Sequence, residues 1–185
     1  MPMIRKATSK DAPHLAPLMY DAIHEIAYTL TGATTHDEVL EKLTYWASQP
    51  ANRLSYETIW VDEQDGQIAG LIIVYTGLKA EELDAPLKEA VRKLNPFADF
   101  DSETEGNVLY IDTVSVRKEY GGRGIGTTLL QHAMQLAEDL QVEALTLNVE
   151  LSNTAARRLY ERLGFQEHSI RTLSGANYSY MVRKV

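Results

Sequence analysis

Hydrophobic positions along this chain change period several times, and each change marks an element. Leu15, Leu18, Met19, Ala22, Ile23, Ile26 and Ala27 recur at three- and four-residue spacing, which places them on one face of an amphipathic helix. Thr8, Ser9 and Asp11 stand ahead of Ala12 and Pro13 as its starting caps, and Gly32 is its stop. A short strand over 3–7 precedes it. Thr35, with Glu38 three residues on, predicts a capping box that opens a second helix over 36–48. The period then shortens. Strands are expected over 55–62 and 67–76, joined at Asp65-Gly66, a dipeptide that favours tight hairpin turns. The second of them, IAGLIIVY, is nearly all apolar, so it belongs in the middle of a sheet.

Residues 110–140 organise the chain. Tyr110 to Val116, YIDTVSV, is rich in residues that suit a pleated surface. Gly121-Gly122-Arg123-Gly124-Ile125-Gly126 follows. Ile125, Leu129, Ala133, Met134, Ala137 and Leu140 then return to helical spacing. Strand, glycine loop and helix in that order can hold an anion. The first N–H groups of a helix have no internal partner, and they sit at the positive end of its dipole. Glycines let such groups converge on phosphate oxygens; they also serve in tight turns that bind nothing.

Two phosphate-binding patterns fail at this loop. Gly121 to Thr128 approaches G-x-x-x-x-G-K-[ST], but Thr127 stands where the lysine belongs. The dinucleotide pattern G-x-G-x-x-G lacks its third glycine at 127 or 129. Nucleotide hydrolysis and hydride transfer are therefore disfavoured. Downstream, a strand is expected over 142–150, then a helix that Asn153 can cap and Gly164 ends. Closing strands are expected over 165–173 and 178–185.

Composition narrows the chemistry further. The 185 residues carry 18 basic and 26 acidic side chains, a formal charge of −8. Backbone-directed nucleic-acid binding is disfavoured, and a cationic small substrate is easier to accommodate. The absence of cysteine excludes disulfides, cysteine nucleophiles and thiolate metal sites, and it fits the cytoplasm. No apolar leader or long apolar span points to a membrane. The segment 78–106 holds a predicted helix over 85–94 and an acidic run, Asp99, Asp101, Glu103 and Glu105. Such a run is commonly a solvated surface, but it can also focus charge toward a cation.

Two residue patterns carry a resemblance. Val114, Val116, Tyr120, Gly124 and Gly126 write V-x-V-x-x-x-Y-x-x-x-G-x-G; Asn153, Ala156, Tyr160, Gly164 and Phe165 write N-x-x-A-x-x-x-Y-x-x-x-G-F. In this order, each behind a strand, they resemble the two signatures of the GNAT superfamily of N-acetyltransferases. The departure is Gly121, which occupies the family's Arg or Gln position.

The resemblance implies an α/β (α+β) fold with a central mixed, mostly antiparallel sheet flanked by helices. It implies one domain over 1–185, with the segment at about 78–106 as an insertion. It further implies acetyl-CoA as co-substrate, no metal, and direct transfer of the acetyl group to a primary amine of a small molecule or peptide. The pyrophosphate would lie on N–H groups of Gly122, Arg123, Gly124, Ile125, Gly126 and Thr127. The pantetheine arm would run along Val114, Ser115 and Val116. Asn153 would touch the cofactor, and Tyr160 would act as general acid.

The residue matching a glutamate base of some members is Asn148, which cannot take a proton. Asp112, with the parity of Val114 and Val116, is the leading candidate base; its other reading is a structural hydrogen-bond acceptor. Glu150 and a chain of waters follow. The first helices border the acceptor site in the family, so Tyr20, His24, Tyr28 and Trp46 are candidate contacts, with packing as the alternative role. Family habit allows a homodimer. The rival reading, favoured by Gly121, is a CoA-binding sensor or regulatory module that is catalytically silent.

Overall fold

The structure, a computed structural model, describes residues 3–185. In chain order the elements are β1 (Met3–Lys6), α1 (Ala12–Ile23), α2 (Glu25–Thr31), α3 (His36–Ser48), β2 (Ile59–Gln64), β3 (Gln67–Thr76) and α4 (Ala80–Leu94). They continue with β4 (Val108–Val116), α5 (Ile125–Asp139), β5 (Ala144–Glu150), α6 (Thr154–Arg162), β6 (Gln166–Leu173) and β7 (Ala176–Lys184). The strands form one sheet in the order β1-β2-β3-β4-β5-β7-β6. Every pairing is antiparallel except β4 with β5. This is the mixed, mostly antiparallel sheet that the sequence predicts.

Alternation divides each strand between two cores. Ile59, Val61, Leu71, Ile73, Tyr75 and Tyr110 face the helices α1 to α4. Ala69, Ile72, Val74, Leu109 and Ile111 face α5, with Leu159 and Tyr160 of α6 packed at the margin. Strand β3 is buried from Ile68 to Tyr75, as an apolar run in the sheet centre should be.

Local chemistry explains where the elements depart from the expected bounds. The first helix breaks at His24, which takes φ 43° and ψ −113°, so α1 and α2 are separate. The break lets Leu15, Leu18 and Met19 of one helix and Ala27 and Leu30 of the next all be buried. Residues 55–58 are not strand. The Ser55 hydroxyl accepts from the Glu57 N–H, and the Thr58 hydroxyl donates to the carbonyls of Arg53 and Ser55, which winds the chain into a short turn. Helix α4 starts at Ala80 and runs through Pro86, where the sequence suggests a start nearer the proline. Burial of Ala80, Asp84, Leu87 and Val91 outweighs the proline's preference for a first turn.

The predicted caps hold in part: the Glu38 carboxylate reaches back to the Thr34 N–H and not to that of Thr35, and Asp11, the N-cap of α1, makes no capping side-chain bond to that helix. The Thr35 hydroxyl accepts from Glu38 N–H at 3.2 Å, Gly32 closes α2 in the left-handed region, and Asp65-Gly66 turns β2 into β3 with φ of 51° and 79°. The segment between β3 and β4 returns tightly on itself. A Cβ on Gly77 would lie 2.6 Å from the backbone of Glu105 and Gly106, so only glycine fits there. Among the described residues no helix is long and apolar enough to cross a membrane.

Candidate active site

The central feature is a fork. Strands β4 and β5 pair only from Val108↔Ala144 to Ile111↔Leu147. Beyond that, β5 stays with β7 through Glu150, and β4 stays with β3 through Val116. Asp112 and Asn148 are therefore the first residues past the fork, one on each arm. The Arg117 N–H donates to the Ala69 carbonyl, so in the antiparallel ladder alternate residues 117, 115 and 113 bond to β3. The backbone groups of Val114 and Val116 then point the other way, into the opening. Their side chains pack against the α5 core. Ser115, paired with Leu71, lies buried on the opposite face.

The glycine loop closes the wider end of this opening. Gly122 and Gly124 take φ of 75° and 76°, and a Cβ at either would meet nothing within 4 Å, so conformation and not crowding calls for glycine. Gly124 is the N-cap of α5. Among the described residues, the N–H groups of Gly122, Arg123, Gly124, Ile125, Gly126 and Thr127 donate to no acceptor; Thr128 is the first to bond, to Gly124 O at 2.9 Å. Ile125 anchors the loop in the core, where a Cβ on Gly70 would lie 3.1 Å from its side chain. The Arg123 guanidinium sits 5.1 Å over the Tyr120 ring. Six consecutive unpaired donors at a helix N-terminus, with a cation beside them, form a cradle that fits a pyrophosphate.

Tyr160 reaches the same core from α6, edge-on to Phe165 with ring centroids 5.9 Å apart. Burial pushes its phenol above the usual value, so it is a neutral O–H donor across the working pH range. Asn153 caps α6 by accepting from the Ala156 N–H at 3.2 Å.

The other face of the fork holds a buried ion cluster. Arg53, 1% exposed, donates to Asp112 Oδ2 through Nη2 at 2.6 Å and Nε at 3.1 Å, to Asp84 Oδ1 at 3.4 Å, and to Glu103 Oε2. The Tyr75 hydroxyl donates to Asp112 Oδ2 at 3.0 Å, and the Thr113 hydroxyl to Oδ1 at 3.0 Å. The Tyr110 hydroxyl donates to Glu103 Oε1 at 2.9 Å and accepts from Asn148 Nδ2 at 3.0 Å. Asn148 Nδ2 also donates to the Glu103 carbonyl at 3.1 Å. Burial pushes the carboxyls of Asp84 and Glu103 up, against the opposing pull of Arg53.

This geometry corrects the expected position of Asp112. The register with β3 slips between Ile73 and Val74, so Ile73 pairs with Thr113 and Val74 with Ile111, and Asp112 is the extra residue of a bulge. The bulge turns its side chain to the face opposite those of Val114 and Val116. There the carboxylate, 4% exposed, anchors Arg53. Glu150 lies at the exposed end of β5, 3.5 Å from the Ser152 hydroxyl. Burial, and then the nearby Glu150 charge, push the Tyr178 phenol up to about 12. Tyr20 on α1 meets His24 at the helix break and Tyr28 on α2, with the Tyr20 and Tyr28 hydroxyls 3.4 Å apart; Trp46 packs on Tyr45 and the helix-side core. Among the described residues no group of His, Asp and Glu is arranged to hold a metal ion.

Arg53 and Asp84 carry no sequence signal: one lies in the irregular stretch after α3, the other on a helix of ordinary amphipathic pattern. Glu103 is visible only as one member of the acidic run.

Comparison with known proteins supports the same picture. The model of the Acetyltransferase (GNAT) family matches residues 20–165. A solved acetyltransferase structure is 32% identical, with 99% of each chain covered and a TM-score of 0.79. The PaiA N-acetyltransferase of Thermoplasma acidophilum, solved in complex with coenzyme A, is 18% identical over 100% of this chain and 99% of that one, with a TM-score of 0.59, and shares the fold. The ribosomal protein bS18-alanine N-acetyltransferase of Escherichia coli K12 is 43% identical over 58 residues, 31% of this chain. The chain spans 39% of that protein's length.

Proposed function

This chain belongs to the acetyltransferase (GNAT) family, and from that premise we propose that it moves an acetyl group from acetyl-CoA directly to a primary amine of a small molecule or peptide. The observation that carries the reading is the row of unpaired N–H groups from Gly122 to Thr127 beside the parted strands. Those donors would hold the pyrophosphate. The outward backbone groups of Val114 and Val116 would pair with the pantetheine amides as another strand does, and an N–H there would polarise the thioester carbonyl and stabilise the developing oxyanion. Tyr160, kept neutral by burial, would protonate the departing thiolate. The coenzyme A complex of the Thermoplasma relative supports the cofactor assignment at the level of fold.

Titration calorimetry with acetyl-CoA and a free-thiol assay across an amine panel test this. Binding with thiol release on adding an amine is expected. Binding without release would favour the silent sensor, and no binding would end the reading.

Gly121 gives a separate prediction. Its φ of −61° suits any residue, and a Cβ there would meet only the Lys118 carbonyl, at 3.2 Å. Gly121→Arg should therefore fold once the Lys118 carbonyl gives by a few tenths of an ångström, at a small cost in stability, and it adds a cation beside the cradle. Acetyl-CoA should bind roughly three- to tenfold more tightly, as one added charged hydrogen bond allows. The gain should shrink in calorimetry at high salt.

A further inference from the structure

The ion cluster has a feature that folding alone does not need. It bridges both arms of the fork: Glu103 is bonded to Tyr110 and, through Arg53, to Asp112 on β4, and its carbonyl is bonded to Asn148 on β5. Glu103 is also the carboxylate of the cluster that lines a cavity, beside Arg53.

That cavity, of about 10 Å³, is lined by Arg53 and Glu103 together with Ile26 and Leu30 of α2, Phe100 and Leu173. Its volume is about what one water needs. It shares Phe100, Asp101 and Ser174 with a surface hollow of about 250 Å³ that also takes in Thr29 and Asp99. The surface hollow, bordered by α2, the 78–106 segment and the β6–β7 turn, therefore adjoins the one-water cavity at Glu103. A second observation points to a donor arriving beside Glu103: Asn148, whose Nδ2 bonds the Glu103 carbonyl and the Tyr110 hydroxyl, keeps its Oδ1 buried at the fork with no hydrogen bond among the described residues.

An alkyl amine with a pKa near 10.4 arrives as an ammonium ion and cannot attack until it loses a proton. We propose that Glu103, carried on the 78–106 segment, accepts that proton from an ammonium acceptor at the fork, through the one water that its cavity can hold. The inference rests on the acetyltransferase reading. The step balances. The ammonium N–H gives its proton to the carboxylate, the free nitrogen pair forms the C–N bond, and the C–S bond breaks. Tyr160 gives its proton to the thiolate and recovers one from the second amine N–H. One proton leaves to solvent through Glu103.

The charges around Glu103 suit the role. Burial opposes its ionised form, Arg53 from the stretch before β2 favours it, Asp112 on β4 opposes it, and the Tyr110 hydrogen bond favours it. Tyr110, Tyr75 and Tyr178, on β4, β3 and β7, face it as neutral phenols. Arg171 on β6 bonds its carbonyl and pairs with Glu105. Burial leaves the carboxyl above its ordinary range, closer to the pH at which a base works best. Asp101 at the rim gives the hollow the sign that draws a cation.

Spermidine and methoxyamine, whose nitrogen is unprotonated at neutral pH, separate this role from a structural one. In the wild type, kcat/KM for spermidine should level off well below the amine's own pKa; a climb all the way to that pKa near 10.4 would overturn the proposal without any variant. Glu103→Gln keeps the size of the side chain. It should lower kcat/KM for spermidine by about 100-fold, leave methoxyamine within a few-fold and leave acetyl-CoA binding unchanged. Its spermidine profile should rise to the amine's pKa. Glu103→Asp should restore the plateau. Equal losses on both amines, or an unaltered profile, would also overturn the proposal. A wild type that releases no thiol with any amine would instead defeat the acetyltransferase reading itself.

Discussion

Arg53→Leu is expected to lower stability by about 3–5 kcal/mol, the usual cost of stripping the partner from buried charge. For a domain of this size that corresponds to a fall in melting temperature of roughly 10 °C. Arg53 is 1% exposed and is the shared partner of Asp84, Glu103 and Asp112, whose side chains are 3%, 13% and 4% exposed. Leucine fills much of the volume but leaves carboxylates facing one another. The deficit should depend on pH with a definite sign. Burial already holds Asp84 and Glu103 above their unfolded values, and Arg53 is the group pulling them back. Without it they move further up. A carboxyl whose folded pKa is raised favours the folded state while it is protonated, and loses that contribution as pH rises through the folded value. Melting curves of the variant should therefore approach wild type as pH falls toward the ordinary carboxyl range of about 4 and fall away as pH rises above it. A deficit independent of pH would show that lost packing, not unpaired charge, dominates.

How much of this was legible in the sequence follows from how local each cause is. The glycine cradle and Tyr160 could be read because their spacing along one strand, one loop and two helices is also their spacing in space. The caps at Thr35 and Asn153 were legible for the same reason. The orientation of Asp112 was not, since a single extra residue in β4 reverses the face, and nothing in YIDTVSV marks the bulge. The cluster around Arg53 was hidden more deeply. Its other members lie 31 to 59 residues from Arg53, on α4, on the segment between α4 and β4, and on β4. The same folding that hides them makes the acidic run before β4, which reads as a solvated loop, part of the fork.

The second large effect is expected at Tyr160. Phenylalanine there keeps the ring against Phe165 and the α5-side core, and among the described residues no hydrogen bond holds the hydroxyl, so the fold should lose little. Acetyl-CoA binding should likewise persist, because the cradle from Gly122 to Thr127 is untouched. What Tyr160→Phe removes is the proton donor to the leaving thiolate, and such a group contributes about 10²–10⁴ in rate. A fall of at least about 100-fold in kcat, with the KM for acetyl-CoA nearly constant, is the expected result of steady-state thiol-release kinetics. The pH dependence gives the sharper test. Burial raises the phenol above its ordinary value near 10, so the wild type should keep its donor through the neutral range and lose activity only at strongly alkaline pH. The variant should be slow at every pH and show no such alkaline fall. A Tyr160→Phe enzyme with unchanged turnover would move the acid role elsewhere, whereas one that kept the alkaline fall would assign that ionisation to a different group.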